Sequence, residues 1–180
     1  MLLAYSTTLE NSQQAEKLFL LIEQCLTEAN LQLSEIDLIS VTNGPGSFTG
    51  VRIGLAAALG LRMAIKAKVI ALSNFQVSAW KASQDNPGKQ IAVSLDARRE
   101  QVYYQLFDSD LKNLTEAKLV AIKDLEYPKN AILIEDNANA KFLIEATEFH
   151  WKNKLYNNLE PLYIREPDVA KPRNKTSDSI

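Results

Sequence analysis

The spacing of apolar residues changes several times along this chain, and each change predicts an element. Leu2 to Thr8 reads as a short strand-like segment. From Gln13 to Ala29 the apolar positions Ala15, Leu18, Phe19, Ile22, Cys25, Leu26 and Ala29 recur at three and four, the spacing of one helix face. Asn11 or Ser12 can cap that helix. Ile36 to Val41 predicts a buried strand, and a long helix rich in small residues follows from Val51 to about Ala67. Lys68 to Leu72 predicts a second strand. Asn74 to Ser83 predicts a helix with Phe75, Ala79 and Trp80 turned inward.

Asp85-Asn86-Pro87-Gly88 reads as a turn and marks the clearest boundary between lobes. Beyond it the period shortens to two. Ile91, Val93 and Leu95 alternate with other residues, and so do Val102, Tyr104 and Leu106. The pattern predicts a β-hairpin joined by the charged stretch Asp96-Ala97-Arg98-Arg99-Glu100, read first as a solvated turn and second as a contact surface. Leu119 to Ile122 and Ala131 to Ile134 predict strands, and Ala138 to Glu148 a short helix. Pro161 to Pro167 is extended and bounded by proline. The domains expected are a first lobe over 1–84, a second over 85–166 and a flexible tail over 167–180.

Between the first predicted strand and the long helix lies Asn43-Gly44-Pro45-Gly46-Ser47-Phe48-Thr49-Gly50-Val51-Arg52-Ile53-Gly54. A glycine loop between strand and helix aims backbone N–H groups and the positive helix end at whatever sits above it. No lysine follows Gly50, so this is not a Walker A loop, and Thr49 occupies the third glycine position of a dinucleotide fingerprint. Gly44, Gly46 and Ser47 are therefore weak candidates for phosphate binding. The plainer reading is a turn using glycine φ freedom, with Ser47 or Thr49 capping the helix. Gly46, Gly50, Gly54 and Ala58 fall four apart, with Ala57, Gly60 and Ala64 nearby. Such a face lets a neighbour approach closely. That neighbour is either the protein's own sheet or a second subunit, and the sequence leaves both open.

Composition narrows the chemistry. The chain has 180 residues, 46% hydrophobic content and a formal net charge of −2, which suits a compact α/β domain or two small lobes and advertises no general affinity for nucleic acid. Its one cysteine excludes an intrachain disulfide and a cysteine-built zinc site. Cys25 lies on the apolar stripe and reads as a buried small residue. The opening residues lack the charged start and long apolar core of a signal peptide. Apolar stretches such as Ile53 to Leu61 fall short of a membrane span. The expectation is a soluble cytoplasmic protein. One histidine, His150, cannot supply a two-histidine metal site, and it reads as a surface or partly packed residue. No G-x-S-x-G elbow presents a nucleophilic serine. Asp96 and Asp136 follow strand-like runs, where a carboxylate either holds a metal or closes a turn.

The segment Asn43 to Gly54 resembles the signature of the TsaB (YeaZ) family closely. So, in order, do Ser73-Asn74-Phe75, Asp96 to Tyr104 and Tyr163-Ile164-Arg165-Glu166-Pro167. The resemblance implies an α/β protein with the actin-like ATPase (ASKHA, ribonuclease H-like) fold, two lobes of mixed sheet plus helices. It also implies a non-catalytic subunit that pairs with and activates a TsaD-type catalytic subunit. With a TsaE-type ATPase, that pair makes threonylcarbamoyladenosine next to the anticodon of tRNA, so tRNA is met through the complex. A homodimer is a further possibility the family carries.

The catalytic paralogue holds a metal with two histidines on its first long helix, and the comparable helix here has none. Family complexes use the first two helices for subunit contact. The resemblance thus implies an interface of Leu18, Ile22 and Cys25 on the first helix and Gly50, Gly54, Ala57, Ala58 and Leu61 on the second. Relatives begin with a β-hairpin ahead of the segment resembling Leu2 to Thr8. Its lack in this sequence predicts an exposed strand edge, an incomplete core and no bound cofactor. The alternatives on the same fold are a nucleotide-binding phosphotransferase and a glycoprotease-type peptidase. Arg165, Lys171, Arg173 and Lys175 make the C-terminal stretch locally basic, a strip that reads first as a solvated tail and second as a phosphate contact.

Overall fold

The computed structural model describes residues 2–8, 14–135 and 139–165. The chain runs α1 (Gln14–Ala29), β1 (Leu38–Thr42), α2 (Phe48–Ile65), β2 (Lys68–Leu72) and α3 (Asn74–Asp85). It continues with β3 (Ile91–Asp96), β4 (Gln101–Phe107), β5 (Lys118–Ala121), β6 (Ile132–Ile134) and α4 (Ala140–Asn153). Two sheets result: a parallel pair β1-β2, and a mixed sheet in the order β5-β4-β3-β6.

The first sheet is a βαβ unit. Leu38 to Thr42 pair in register with Lys68 to Leu72, and α2 is the crossover. Side chains alternate across a strand. Val41 therefore faces Gly54 of α2, while Ser40 on the opposite face accepts a hydrogen bond from Thr147 Oγ1 of α4 at 2.8 Å. The pair of strands is held between two helices. On the α4 side Leu72 and Val77 pack with Ala146, all fully buried.

Local chemistry explains the helix starts. Ser47 Oγ accepts from the Gly50 N–H at 3.3 Å and caps α2. Ser73 and Gln76 form a reciprocal capping box on α3. α2 and α4 each stop at a lysine in the left-handed conformation, Lys66 at φ 58° and Lys154 at φ 56°.

The second sheet carries the larger core. Phe75, Ala79 and Ala82 of α3 meet Ile91, Val93, Leu95, Phe107 and Leu111. The expected lobe boundary between 84 and 85 thus falls at the end of a helix whose apolar face packs against the strands that follow. Ala92, Tyr104 and Leu106 form a second cluster on the other face. Burial on both faces explains why β3 shows a continuous buried run rather than strict alternation.

Several expectations are corrected. Leu2 to Thr8 contains no strand, because nothing pairs with it among the described residues. Leu2, Leu3 and Tyr5 are exposed. The first strand begins at Leu38 rather than Ile36, after a short turn of 3₁₀ helix over Leu33–Glu35. The last helix runs on to Asn153, which puts His150 on its inner face beside Ala146 and Thr147. His150 is fully buried rather than at the surface. The caps Asn11 and Ser12, the carboxylate of Asp136 and the tail 167–180 lie outside the described residues.

α2 also departs from expectation. It is 18 residues long with mean hydropathy 1.4, enough by length and composition alone to cross a membrane. It is instead the crossover of a βαβ unit whose two strands bond directly to each other, which holds both its ends at one sheet.

Candidate functional site

Two features compete as the site: the outer face of α1 and α2, and the glycine loop at the carboxyl ends of β1 and β2. The loop is held by the protein's own chain. Asn43 is buried; its Nδ2 donates to the Glu160 carbonyl at 3.0 Å, and its own carbonyl accepts from the Leu162 N–H at 2.7 Å. The Gly44 carbonyl accepts from the Asn74 N–H and the Pro45 carbonyl from Asn74 Nδ2, both at 2.7 Å. Gly44 has φ +110°, and a Cβ there would lie 3.1 Å from the Leu162 carbonyl, so two demands fix glycine at this place. Gly46 and Ser47 are exposed, Ser47 being the cap.

Beside the loop lies a polar cavity of about 300 Å³ lined by Asn43, Gln76, Gln105, Asn157 and Glu160 among others. Its amides are spent on one another and on nearby backbone carbonyls. Asn157 Nδ2 donates to Gln76 Oε1 at 2.9 Å, and Gln76 Nε2 to the Leu155 carbonyl at 2.5 Å. Open α/β sheets bind ligands at this end of their strands. Here the network serves to tie the segment 155–162 to both strand ends.

The helical face is of a different kind. A groove of about 440 Å³ runs between α1, α2 and β1. It brings together Leu18, Ile22, Cys25, Gly54, Ala57, Ala58 and Leu61, every residue of the expected interface except Gly50. Both faces of β1 contribute, through Leu38, Ile39, Ser40 and Val41, so the groove follows the strand edge opposite β2. Cys25 is half-buried rather than buried; desolvation and then Glu28 push its thiol up, so it is a poor nucleophile.

Within this face the small residues divide. Gly54 and buried Ala58 turn inward: a Cβ on Gly54 would sit 3.5 Å from the Val41 side chain. Gly60 turns outward, with no atom within 4 Å of where its Cβ would be. Among the residues of α1 whose burial is described, none is buried. The expected stripe is also rotated. Leu21 lines the groove, while Phe19 is 52% and Leu20 64% exposed. Leu59 and Met63 of α2 are exposed as well. These four large apolar side chains are what spacing alone missed. The signal was there in Phe19-Leu20-Leu21-Ile22, a run with apolar residues on all sides of the helix.

Chemistry elsewhere is quiet. Among the described residues no group of three or more His, Cys, Asp or Glu is placed to share a metal. Asp96 closes its turn, accepting from the Arg98 N–H at 2.7 Å. Arg98, Arg99 and Glu100 follow it in the left-handed conformation. Arg165 donates to Gln101 Oε1 at 2.6 Å, so it packs on the hairpin rather than belonging to a free tail.

The described family "TsaD: tRNA N6-adenosine threonylcarbamoyltransferase" matches residues 9–163. The chain belongs to this family, in its TsaB (YeaZ) branch. Over 125 residues it is 30% identical to the tRNA threonylcarbamoyladenosine biosynthesis protein TsaB of Haemophilus influenzae, covering 67% of this chain and 53% of that protein. Over 98 residues it is 30% identical to TsaB of Escherichia coli K12, covering 54% and 42%. The chain spans about half the length of these curated relatives. A solved YeaZ structure from Pseudomonas aeruginosa superposes with TM-score 0.72 at 23% identity, covering 88% of this chain and 87% of that one. The fold is therefore the actin-like ATPase architecture expected from the TsaB signature.

Proposed function

We propose that this chain is a non-catalytic subunit of the machinery that makes threonylcarbamoyladenosine on tRNA. It pairs with a TsaD-type catalytic subunit in the cytoplasm through α1 and α2, and a TsaE-type ATPase completes the assembly. The observation that carries the reading is the apolar helical face: Phe19 and Leu20 of α1 stand exposed beside a groove lined by Leu18, Leu21 and Leu61. Water disfavours such a patch, and a subunit interface of standard size, about 1,600 Å² in total, could cover it. The groove follows a strand edge, and edges invite a partner in the same way. The relatives named TsaB supply the pathway.

The test is reconstitution. The full chain is mixed with its TsaD and TsaE counterparts, tRNA, ATP and threonylcarbamoyl donor, and modified nucleoside is measured with and without it. Modification that depends on the chain is expected. Equal modification in its absence, or turnover by the chain alone, overturns the reading.

A further inference from the structure

A second surface lies at the far end of the βαβ unit from the glycine loop. The end of α2, the start of β2 and the end of α4 enclose a groove of about 620 Å³. Arg62, Lys66 and Lys68 line it together with Met63, Trp151 and Tyr156, and among the described residues no carboxylate does. The two rings stack at 5.4 Å with 19° between their planes. Lys68 Nζ stands 5.4 Å from the centre of the Trp151 ring. Tyr156 is 42% exposed, so its ring is open to a ligand while Trp151 backs it. Arg62, Lys66 and Lys68 have no ion pair with another described residue.

A helix C-terminus attracts cations, and Arg62 and Lys66 sit at the end of α2. That accounts for one or two charges. It does not account for a third on the strand, nor for a rigid aromatic platform between them. In a chain of net charge −2 this is a local concentration of positive charge beside π faces. Flat aromatic rings stack unpaired bases without regard to sequence, and flanking cations hold the phosphates.

We infer that this groove binds single-stranded RNA, one unstacked base lying on Tyr156 with the adjoining phosphates on Arg62, Lys66 and Lys68. The choice of RNA rests on the proposed role in tRNA modification; the lining itself specifies a base with phosphates.

The experiment titrates the full chain into a short fluorescein-labelled single-stranded RNA and follows anisotropy at several salt concentrations. Tyr156→Ala is expected to weaken binding about 5- to 100-fold, the loss of one stacked base, and Tyr156→Phe to retain it. Lys68→Gln is expected to reduce the slope of log K against log salt by about 0.7. Should Tyr156→Ala fail to fold, Arg62→Gln and Lys68→Gln carry the test. Unchanged affinity and slope in all variants overturns the inference. So does equally tight binding of free AMP, or binding only to vesicles containing phosphatidylserine. Loss of RNA binding sites with intact TsaD pairing would leave the proposed function standing. RNA binding without TsaD pairing would do the reverse.

Discussion

Arg52 Nε donates to the Tyr163 hydroxyl at 2.7 Å, although 111 residues separate them in sequence. The guanidinium also lies 3.8 Å over the Phe48 ring, and that ring stacks on Tyr163 at 5.2 Å. Two segments of the family signature thus meet: the start of α2 and the strap over 161–165. The contact locks the strap over the glycine loop, where the Leu162 N–H already bonds the Asn43 carbonyl.

Removing that lock should loosen the strap. Tyr163→Phe loses one hydrogen bond, a cost of about 1 kcal/mol or less. Arg52→Ala also loses the cation–π contact, adding about 0.5–1 kcal/mol. The measurement is amide exchange at Leu162, expected to rise in both variants and more in Arg52→Ala. Unchanged exchange would mean that Asn43, the Arg165–Gln101 bond and the packing of Leu162 and Ile164 hold the strap without it.

Glycines of opposite environment should respond with opposite sign. Gly60 is helical with open space beside it, so Gly60→Ala should stabilise the isolated chain by about 1 kcal/mol. That is a rise of about 2–4 °C in melting temperature. Gly44→Ala meets both a positive φ and the Leu162 carbonyl, and should destabilise by about 1–3 kcal/mol. Thermal melts of the two variants check both signs. A Gly60→Ala melt below that of the parent would show the helix is constrained there.

Charge on the outer helical face should spare the fold and break assembly. Phe19→Glu and Leu20→Glu alter exposed positions, so stability should stay within about 0.5 kcal/mol. Pairing with a TsaD-type subunit should weaken by about 2 kcal/mol or more if these are central contacts, roughly 30-fold. Gly54→Leu and Ala58→Glu are poorer probes, since both positions turn toward the protein's own body. Size-exclusion chromatography of mixed subunits reads the outcome, and full co-elution of both Glu variants would place the interface elsewhere.

His150 gives the chain a pH dependence of known sign. Burial pushes its imidazole below the ordinary 6.5, opposed more weakly by the nearby backbone of Gln76 and Leu155. Among the described residues neither ring nitrogen has a hydrogen-bond partner, and the Phe149 ring stands edge-on at 5.2 Å. The unfolded chain therefore takes up this proton first as pH falls. Stability from the neutral imidazole is complete above about 6.5 and declines as pH drops from there toward the folded-state value. Urea midpoints across this range should fall for the parent and fall less for His150→Leu. Parallel curves would assign the acid sensitivity to other groups.

Much of the secondary structure is legible without coordinates. Lys68 to Leu72 is a strand with the expected ends, Ser47 is the cap out of the two expected candidates Ser47 and Thr49, and the alternating runs after Gly88 do form a hairpin. These features depend on neighbours a few residues away: a serine three positions before an amide, a glycine in a turn, a period of two. Failures begin where a neighbour is distant. Leu2 to Thr8 has strand-like residues, but no strand pairs with it among the described residues. Phe19 and Leu21 are equivalent by composition, and only the position of α2 decides which one is covered.

Sequence by itself determined most of the order of elements and the glycine turn at 44, because backbone sterics and residue chemistry act locally. Tertiary packing decided the rest. It turned Gly54 inward and Gly60 outward, buried the one histidine, carried Tyr163 back to Arg52, and gathered three cations around two rings. Such placements depend on which surfaces meet when the chain closes, and no local pattern encodes that.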